Sequence, residues 1–229
     1  MAFLGQAALG IWMDVLPQVE DDFNRWYREQ HFPERLAVPG FVRGRRYLSA
    51  VGAPKYFVLY ETEGPEVLRR PAYLERLNNP TDWTRRVLPT MRNVVRNAYR
   101  ILCAAGREDG QGLITLRLDA LPGAEPVLRA RYQAEVLEAM ARVPGVVSAA
   151  FFEAEAAATG VITEERRLVG TMAAAPAFLC TCEVRDPEVA AHPAWRALVG
   201  PEGPARKGVA RDVTENAYRL LYALERPRA

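Results

Sequence analysis

The first hundred residues alternate between two hydrophobic periods. The apolar run at 8–16 is too short for a helix and predicts a strand. From Glu20 to about Val38, apolar and aromatic positions recur every three or four residues, which predicts an amphipathic helix with a kink or early break at Pro33. Two runs, at 41–51 and 56–62, then predict a pair of strands joined as a hairpin.

The rest of this half predicts helices and one more strand. A helical region opens at Pro65 and ends at Asn78-Asn79-Pro80, and a short helix is predicted at 84–91. The run 94–103 predicts a closing strand. The resulting order, βαββαβ, is that of a ferredoxin-like unit. The polar, glycine-rich segment 106–111 is predicted to be a linker.

The same pattern then returns. The Leu-Pro at 16 and the Val-Pro-Gly at 38 recur 105 residues later without a gap, and the strand 56–62 recurs at 178–184, an offset of 122. The second copy therefore carries 17 extra residues, placed around 156–177, and an Asn-Ala-Tyr-Arg motif closes both copies. We interpret the chain as a tandem duplication with halves at 1–105 and 112–229.

Duplication has a physical consequence for the fold. The sheet of one ferredoxin-like unit is covered by helices on one face and bare on the other, so the bare face needs a partner. Two such sheets can pack face to face and close a barrel with the helices outside. The predicted class is α+β, with both halves of the barrel supplied by one chain as an intrachain pseudo-dimer.

Composition narrows the possible partners. Lys and Arg number 30 against 28 Asp and Glu, a net charge of +2, and no basic stripe suggests nucleic acid. The apolar N-terminal stretch follows no basic residue and reaches Asp14 too early for a membrane span, so we expect a cytoplasmic protein. Three cysteines without metal-site spacing predict reduced thiols. A small molecule is the expected partner, and further homo-oligomerisation is left open.

His31 is the first candidate for chemistry. Neutral imidazole can move a proton near neutral pH. Tyr27 lies four residues earlier on the same helical face, and Glu34, three residues later, could orient the ring. In the second half, Val136 stands at the position of His31, which indicates a single working cleft in the first half. The alternative is a structural histidine bonded to a nearby carboxylate.

The second strand supplies further candidates. Arg43 and Arg45 share one of its faces and Arg46 takes the other; an arginine here could hold an anionic oxygen, and Tyr47 could donate to an oxyanion. Solvent-facing arginines are the alternative. Other candidate residues are two tryptophans, Trp26 and Trp83, which could wall an apolar pocket or belong to the core.

Four motifs in the first half carry a family resemblance. They are the aromatic-x-x-Trp-Tyr-x-x-x-His pattern at 23–31, the Pro-Gly-Phe turn at 39–41, the Arg-Arg-Tyr at 45–47 and the Tyr-Glu at 60–61. Together they resemble the dimeric α+β barrel superfamily, nearest its EthD-like branch. The resemblance covers nearly all of the first half, and the second half follows through its match to the first. It implies a cleft between the sheet and the first helix of each unit. Some members of the superfamily are cofactor-free isomerases, lyases or cyclases, some are cofactor-free monooxygenases, and some bind haem in this cleft.

We therefore expect a cofactor-independent lyase, isomerase or cyclase acting on an aromatic or conjugated small acid. His31 would move the proton, Tyr27 or Tyr47 would assist, and an arginine of the second strand would hold an anionic oxygen. No phosphate loop, H-E-x-x-H or G-x-S-x-G motif is present, which disfavours nucleotide and tightly bound metal. A cofactor-free monooxygenase and a binding or stress-related protein stay open as alternatives. So does haem, although the second half offers only the poorly placed His192.

Overall fold

The computed structural model describes residues 3–173 and 175–226. The outermost limits predicted for the two halves, residues 1 and 229, lie outside this range. The strands in the described part are β1 (Ala7–Val15), β2 (Phe41–Val51), β3 (Tyr56–Thr62), β4 (Met91–Gly106), β5 (Gly112–Ala120), β6 (Val146–Ala154), β7 (Phe178–Val184) and β8 (Ala210–Glu225). The predicted strands are confirmed, and β4 is longer than its apolar run because both of its ends continue into paired positions.

Helices lie between the strands of each half. Those of the first half are α1 (Glu20–Trp26), α2 (Phe32–Ala37), α3 (Pro71–Asn78) and α4 (Asp82–Val87). Those of the second are α5 (Glu125–Arg131), α6 (Leu137–Ala141), α7 (Ala156–Thr159), α8 (Glu164–Val169) and α9 (Pro193–Val199). The order βαββαβ is thus present twice, and α7 and α8 occupy the extra residues predicted around 156–177.

All eight strands form one closed antiparallel barrel, in the order β1-β3-β2-β8-β5-β7-β6-β4. The strands of each half are neighbours, and the two sheets are joined along their edges by the pairs β2–β8 and β4–β6. The sheets also face each other across an interior filled by buried aromatic side chains from both halves, among them Trp12, Tyr47, Phe57, Phe152 and Tyr218. Closure therefore combines the predicted packing of two faces with continuous hydrogen bonding around the barrel.

The repeated Asn-Ala-Tyr-Arg motif has a structural role in this closure. The Asn97 side chain donates to the carbonyl oxygen of Pro176 in the β6–β7 connection, at 3.4 Å. The Asn216 side chain donates to the carbonyl oxygen of Ala53 in the β2–β3 hairpin, at 2.9 Å. Each half thus anchors a strand connection of the other.

The segment between β4 and β5, predicted as a linker, is fixed to the end of the barrel. Asp109 accepts a hydrogen bond from Arg43 at 2.8 Å, and the amide of Gly110 donates to Glu183 at 3.2 Å. Because Glu183 also pairs with Arg45, the segment closes over a buried ionic cluster that contains side chains from both halves.

A π-helical turn joins α1 to α2. It spans Tyr27–His31, and the amide of Phe32 donates to the carbonyl of Tyr27, five residues earlier. The predicted break at Pro33 is wrong: the helix continues to Ala37. Pro33 falls in the first turn after the change of hydrogen-bond register, where a missing N–H costs little.

The second half has the same π-helical turn at Tyr132–Val136, again at an offset of 105. There the position of Pro33 is taken by Glu138. Proline is therefore not the cause of the π-helical turn, which both halves have at the same position.

The repeated Val-Pro-Gly turns require glycine for two reasons. Gly40 has φ +96° and Gly145 has φ +91°, in the left-handed region that glycine enters without strain. A Cβ on either would lie 2.6 Å from a methyl group, of Val67 in the first half and of Val189 in the second. These two valines are themselves related by the offset of 122.

Gly40→Ala and Gly145→Ala are each expected to lower the free energy of unfolding by about 2 to 4 kcal/mol, the sum of backbone strain and overpacking. Gly123→Ala is the matched control. Gly123 has φ +78°, but no atom lies within 4 Å of the point that its Cβ would occupy, so about 1 kcal/mol of strain is expected alone. Urea unfolding measures all three. Equal losses in the three variants would contradict the packing argument.

Candidate active-site cleft

A cavity of about 80 Å³ lies in the first half between the sheet, the helix pair α1–α2 and the segment 156–173. Apolar side chains form most of its wall, including Leu9, Ile11, Leu68, Leu77, Met91, Val94, Val169 and Met172. The polar side chains include His31, Tyr27, Tyr60, Arg35 and Glu165. Ligand pockets typically start at roughly 300 Å³, so this cavity is small for a ligand, and residues of segment 156–173 form part of its wall.

His31 is held by aromatic neighbours rather than by a carboxylate. Its residue exposure is 5%, and its ring centroid lies 4.2 Å from that of Trp26 and 5.1 Å from that of Tyr27. Nδ1 is buried and has no hydrogen-bond partner among the described residues, so Glu34 does not orient it. Burial first, and then the charges of Arg35 and Arg46, lower the pKa of His31 well below its usual value. The imidazole is neutral at physiological pH.

Two phenols share the cavity with His31. The hydroxyl of Tyr60 is buried and has no partner in the described part of the chain, and that of Tyr27 makes a single weak contact, 3.6 Å from the sulfur of Met13. Burial raises the pKa of both phenols, so they remain protonated at neutral pH. The Tyr60 hydroxyl is therefore an unpaired donor, and the Tyr27 hydroxyl donates only weakly, to sulfur.

Arg35 is the cation of the cavity. It is almost completely buried, and its Nη2 lies 2.5 Å from each carboxylate oxygen of Glu165. Burial lowers the pKa of Arg35, but the charge and hydrogen bond of Glu165 together with the phenols of Tyr73 and Tyr60 raise it overall, so the guanidinium stays charged. The pair is neutral overall, and its carboxylate comes from the second half of the chain.

Glu165 lies on α8, which covers the cleft from outside. The contacts that hold this insertion to the first half include hydrogen bonds from Arg85 to Glu164 at 3.2 Å, from the amide of Ala173 to the carbonyl of Val94 at 2.9 Å, and from the amide of Ala98 to Thr159 at 3.1 Å. The extra residues of the second half, predicted as a tolerated hairpin insertion, thus form a lid over the first half's cleft.

The matching region of the second half is packed with apolar side chains. Tyr132, the counterpart of Tyr27, stacks on Phe151 with centroids 3.9 Å apart, and Val136 and Met140 are completely buried beside it. At the related positions the first half has Arg46, His31 and Arg35, and Tyr60 corresponds to the buried Cys182. Three polar positions of the first cleft, and Arg46 beside it, therefore correspond to apolar or thiol positions in the second half.

Three of the proposed residues of β2 face the barrel interior. Arg43 and Arg45 bond to Glu61 at 2.6 and 3.1 Å, in the ionic cluster at the barrel end, and Tyr47 packs against Phe57. The opposite orientation of Arg46, predicted from the alternation along the strand, is confirmed. The structure does not bring Arg43, Arg45 or Tyr47 together with His31, because alternate positions of a strand point to opposite faces of the sheet.

The remaining candidates divide between the cleft and the surface. Trp26 backs the His31 ring and donates through Nε1 to Thr84 at 3.1 Å. Trp83 lies outside the cavity, where it donates to Asp22 at 3.2 Å. His192 caps α9 by accepting from the amide of Ala194 at 3.1 Å.

Arg35, Tyr60 and Glu165 were not identified from the sequence as site residues. A comparison of the two halves could have identified the first two, because Arg35 corresponds to Met140 and Tyr60 to Cys182. Glu165 has no counterpart in the first half, so the comparison between halves gives no indication of its role.

The described side chains do not form a ligand set that suits a metal ion or haem. Within residues 3–173 and 175–226, no three His, Cys, Asp or Glu side chains are grouped to hold a metal ion. The His31 ring is enclosed by Trp26 and Tyr27 in a cavity of about 80 Å³, and His192 is engaged as a helix cap, so neither fits an axial haem ligand. None of the helices in the same part of the chain combines the length and apolar character needed to cross a membrane.

Comparison with known proteins identifies the fold. No family model and no curated protein matches the sequence. Among solved structures, an anthrone oxidase-like protein shares 13% identity over 97% of this chain and 93% of its own, with a TM-score of 0.61. A putative monooxygenase from Fusobacterium nucleatum shares 8% identity over 97% and 96%, with a TM-score of 0.59, and one from Lactobacillus acidophilus 7% over 96% and 97%, at 0.57. Such likeness shows the fold alone: this chain has a dimeric α+β barrel fold.

The buried neutral state of His31 predicts a specific loss of stability in acid. The unfolded chain binds a proton at this residue below about pH 6.5, whereas the folded chain does not, so unfolding becomes easier as the pH falls. Between pH 7 and pH 5 the wild type should lose stability relative to His31→Val, at a slope approaching about 1.4 kcal/mol per pH unit. Urea unfolding at several pH values tests this, and parallel curves would show that His31 protonates freely in the fold.

Proposed function

We propose that this protein is a cofactor-independent enzyme that removes a proton from a flat, conjugated small molecule in the first-half cleft. The observation that carries the proposal is a neutral, desolvated His31 facing a covered, mostly apolar cavity with two phenol donors. In this proposal the chain is a tandem duplication of the EthD-like type, with halves at 1–105 and 112–229, and only the first half keeps a working cleft.

His31 acts as the base. A neutral imidazole accepts a proton, but its lowered pKa makes it a weak base, so the C–H bond of the substrate must itself be acidified by a conjugated carbonyl group. Negative charge then develops on the carbonyl oxygen. The hydroxyls of Tyr60 and Tyr27 are the donors available to stabilise that oxyanion, in a site where the low dielectric strengthens each hydrogen bond.

Arg35 takes the role first assigned to an arginine of β2. It lines the cavity, and the carboxylate of Glu165 already occupies its guanidinium from the lid. A substrate that bears a carboxylate would replace Glu165 on Arg35 when α8 lifts, and the planar guanidinium fork suits that exchange. The substrate class is accordingly an aromatic or conjugated small acid, bound with its ring against the apolar wall.

The fate of the resulting carbanion distinguishes two reaction classes. Return of the proton at another atom, or loss of a leaving group, gives an isomerase, cyclase or lyase. Reaction with dioxygen gives a cofactor-free monooxygenase, and the covered apolar cavity favours this second candidate because it keeps water away from the carbanion. The structural neighbours described as monooxygenases and as anthrone oxidase-like agree with it at the level of fold.

Anthrone is a suitable probe, since its methylene group is acidified by a conjugated ketone. Under anaerobic conditions the wild type should exchange the methylene hydrogens with deuterium from D₂O, measured by NMR. His31→Gln should lower that rate by about 10²- to 10⁴-fold, and Tyr60→Phe by about 10²-fold. Oxygen consumption by the same mixture in air would assign the monooxygenase class.

Tyr47→Phe is the matched control, because Tyr47 is a buried tyrosine on the other face of the sheet. Its exchange rate should equal that of the wild type. If His31→Gln left the rate unchanged while the fold stayed intact, His31 would not be the base.

The exchange of carboxylates on Arg35 predicts opposite effects of two substitutions. We compare anthrone with an anthrone carboxylic acid as paired substrates. Glu165→Gln should raise kcat/KM for the acid relative to the neutral compound, because the competing charge is gone. Arg35→Met, which copies Met140 of the second half, should lower the same ratio by about tenfold or more.

The ratio between the two substrates cancels any general loss of folded protein. Its constancy in both variants would refute the assignment of Arg35 to the substrate acid. The assignment of His31 as base would be unaffected, since the neutral substrate tests that role independently.

A further inference from the structure

A second cleft lies outside the barrel, where β2 and β8 pair across the two halves beside α1. Its volume is about 400 Å³, and no residue of segment 156–173 lines it. Arg46 and Tyr222 form its buried end, Asn24 and Arg28 line one side, and Leu48 and Leu221 contribute apolar surface. None of the proton-transfer residues proposed above except Tyr27 contacts this region.

Arg46 is a buried cation without a carboxylate partner in the described chain. Its guanidinium carbon lies 4.4 Å from the Tyr27 ring centroid and 4.6 Å from that of Tyr56, and Nη2 donates to the Asn24 side chain at 2.7 Å. Nε is buried and makes no hydrogen bond to the residues described. Glu20, an acidic side chain nearby, is already held by Lys55 and Tyr56.

The other polar groups around the cleft add to this donor character. The hydroxyl of Tyr222 lies beside Arg46, is buried, and has no hydrogen-bond partner of good geometry in the described chain. Arg28 extends from the rim with a largely exposed side chain, and no Asp or Glu among the described residues lines the cleft. Arg46, whose charge is offset in part by the nearby Glu20, and the unpartnered hydroxyl of Tyr222 therefore lie at the buried end of an open space, with the Arg28–Glu29 pair at its rim.

The second half indicates that packing alone does not explain the arginine. Phe151 occupies the position related to Arg46 and covers Tyr132 with its ring, as Arg46 covers Tyr27. An uncharged ring is therefore sufficient to pack against the tyrosine, and it avoids the cost of burying a charge. The guanidinium at position 46 requires a further explanation, which a ligand supplies.

We propose that this outer cleft binds the carboxylate of a small amphipathic organic anion. The carboxylate pairs with the guanidinium of Arg46 beside Tyr222, and the apolar part of the ligand lies along Leu48 and Leu221. A carboxylate matches both the planar donor geometry of arginine and the mixed wall of the cleft better than a fully hydrated inorganic ion. This site is separate from the inner cavity, although the charge of Arg46 also lowers the pKa of His31.

Isothermal titration of the intact protein with benzoate, benzamide and inorganic phosphate tests the site. Benzoate should bind at least tenfold more tightly than its neutral isostere benzamide, and more weakly as salt is added. Arg46→Met should lower benzoate affinity by about tenfold or more, and Tyr222→Phe, which removes only a hydroxyl, by about threefold to tenfold. Arg69→Met, at an exposed arginine far from the cleft, is the matched control and should bind as the wild type does.

Benzoate could also enter the inner cavity, so Arg35→Met is titrated in parallel and should leave the outer-cleft affinity unchanged. Tyr222→Phe keeps the test decisive if Arg46→Met fails to fold. Equal affinity for benzoate and benzamide, tighter binding of phosphate than of benzoate, or full binding by Tyr222→Phe and Arg46→Met would each overturn the proposal.

Discussion

Closure of the barrel is the constraint on which the rest of the structure depends. A four-stranded sheet leaves two edges of unpaired backbone groups and one bare face, and the pairs β2–β8 and β4–β6 satisfy both edges at once. The interior is then filled by aromatic side chains from both halves, with the ionic cluster of Arg43, Arg45, Glu61 and Glu183 at one end. Because closure uses the inner face for packing, the cavity that contains His31 lies on the outer face, beneath the helices.

The space between the sheet and the first helix pair is filled differently in the two halves. In the second half an apolar set fills the space completely, whereas in the first half His31, Arg35 and Tyr60 line a cavity, and Nδ1 of His31 and the hydroxyl of Tyr60 have no hydrogen-bond partner in the described chain. A buried arginine in an apolar cleft is costly without a partner, and Glu165 of the lid supplies the countercharge for Arg35. The polar cleft and its lid are therefore coupled: each of them would be less stable without the other.

The hydrophobic pattern was sufficient to predict the strands, the order of elements and the closed barrel class, because each depends on local period and on the repeat. It also separated Arg46 from Arg43 and Arg45 by strand alternation. Alternation does not say which face of β2 lies inside, so Tyr47 was grouped with His31 although it packs in the interior. The π-helical turn at Tyr27–His31 has no recognisable sequence pattern. The contact between Arg35 and Glu165 joins residues that are far apart in the sequence, so no local pattern predicts it.

The placement of the lid has a consequence for how such a protein can change. In a homodimer of one half, symmetry would impose every insertion and every substitution on both subunits, so a lid grown from one hairpin would appear twice. Joining the halves in a single chain removes that restriction, and the insertion at 156–173 faces only one cleft. The region of the second half that corresponds to the cavity is packed with apolar side chains, and the insertion of that half lines the cavity of the first. A covalent connection thus permits a division of labour that a symmetric assembly of identical subunits forbids.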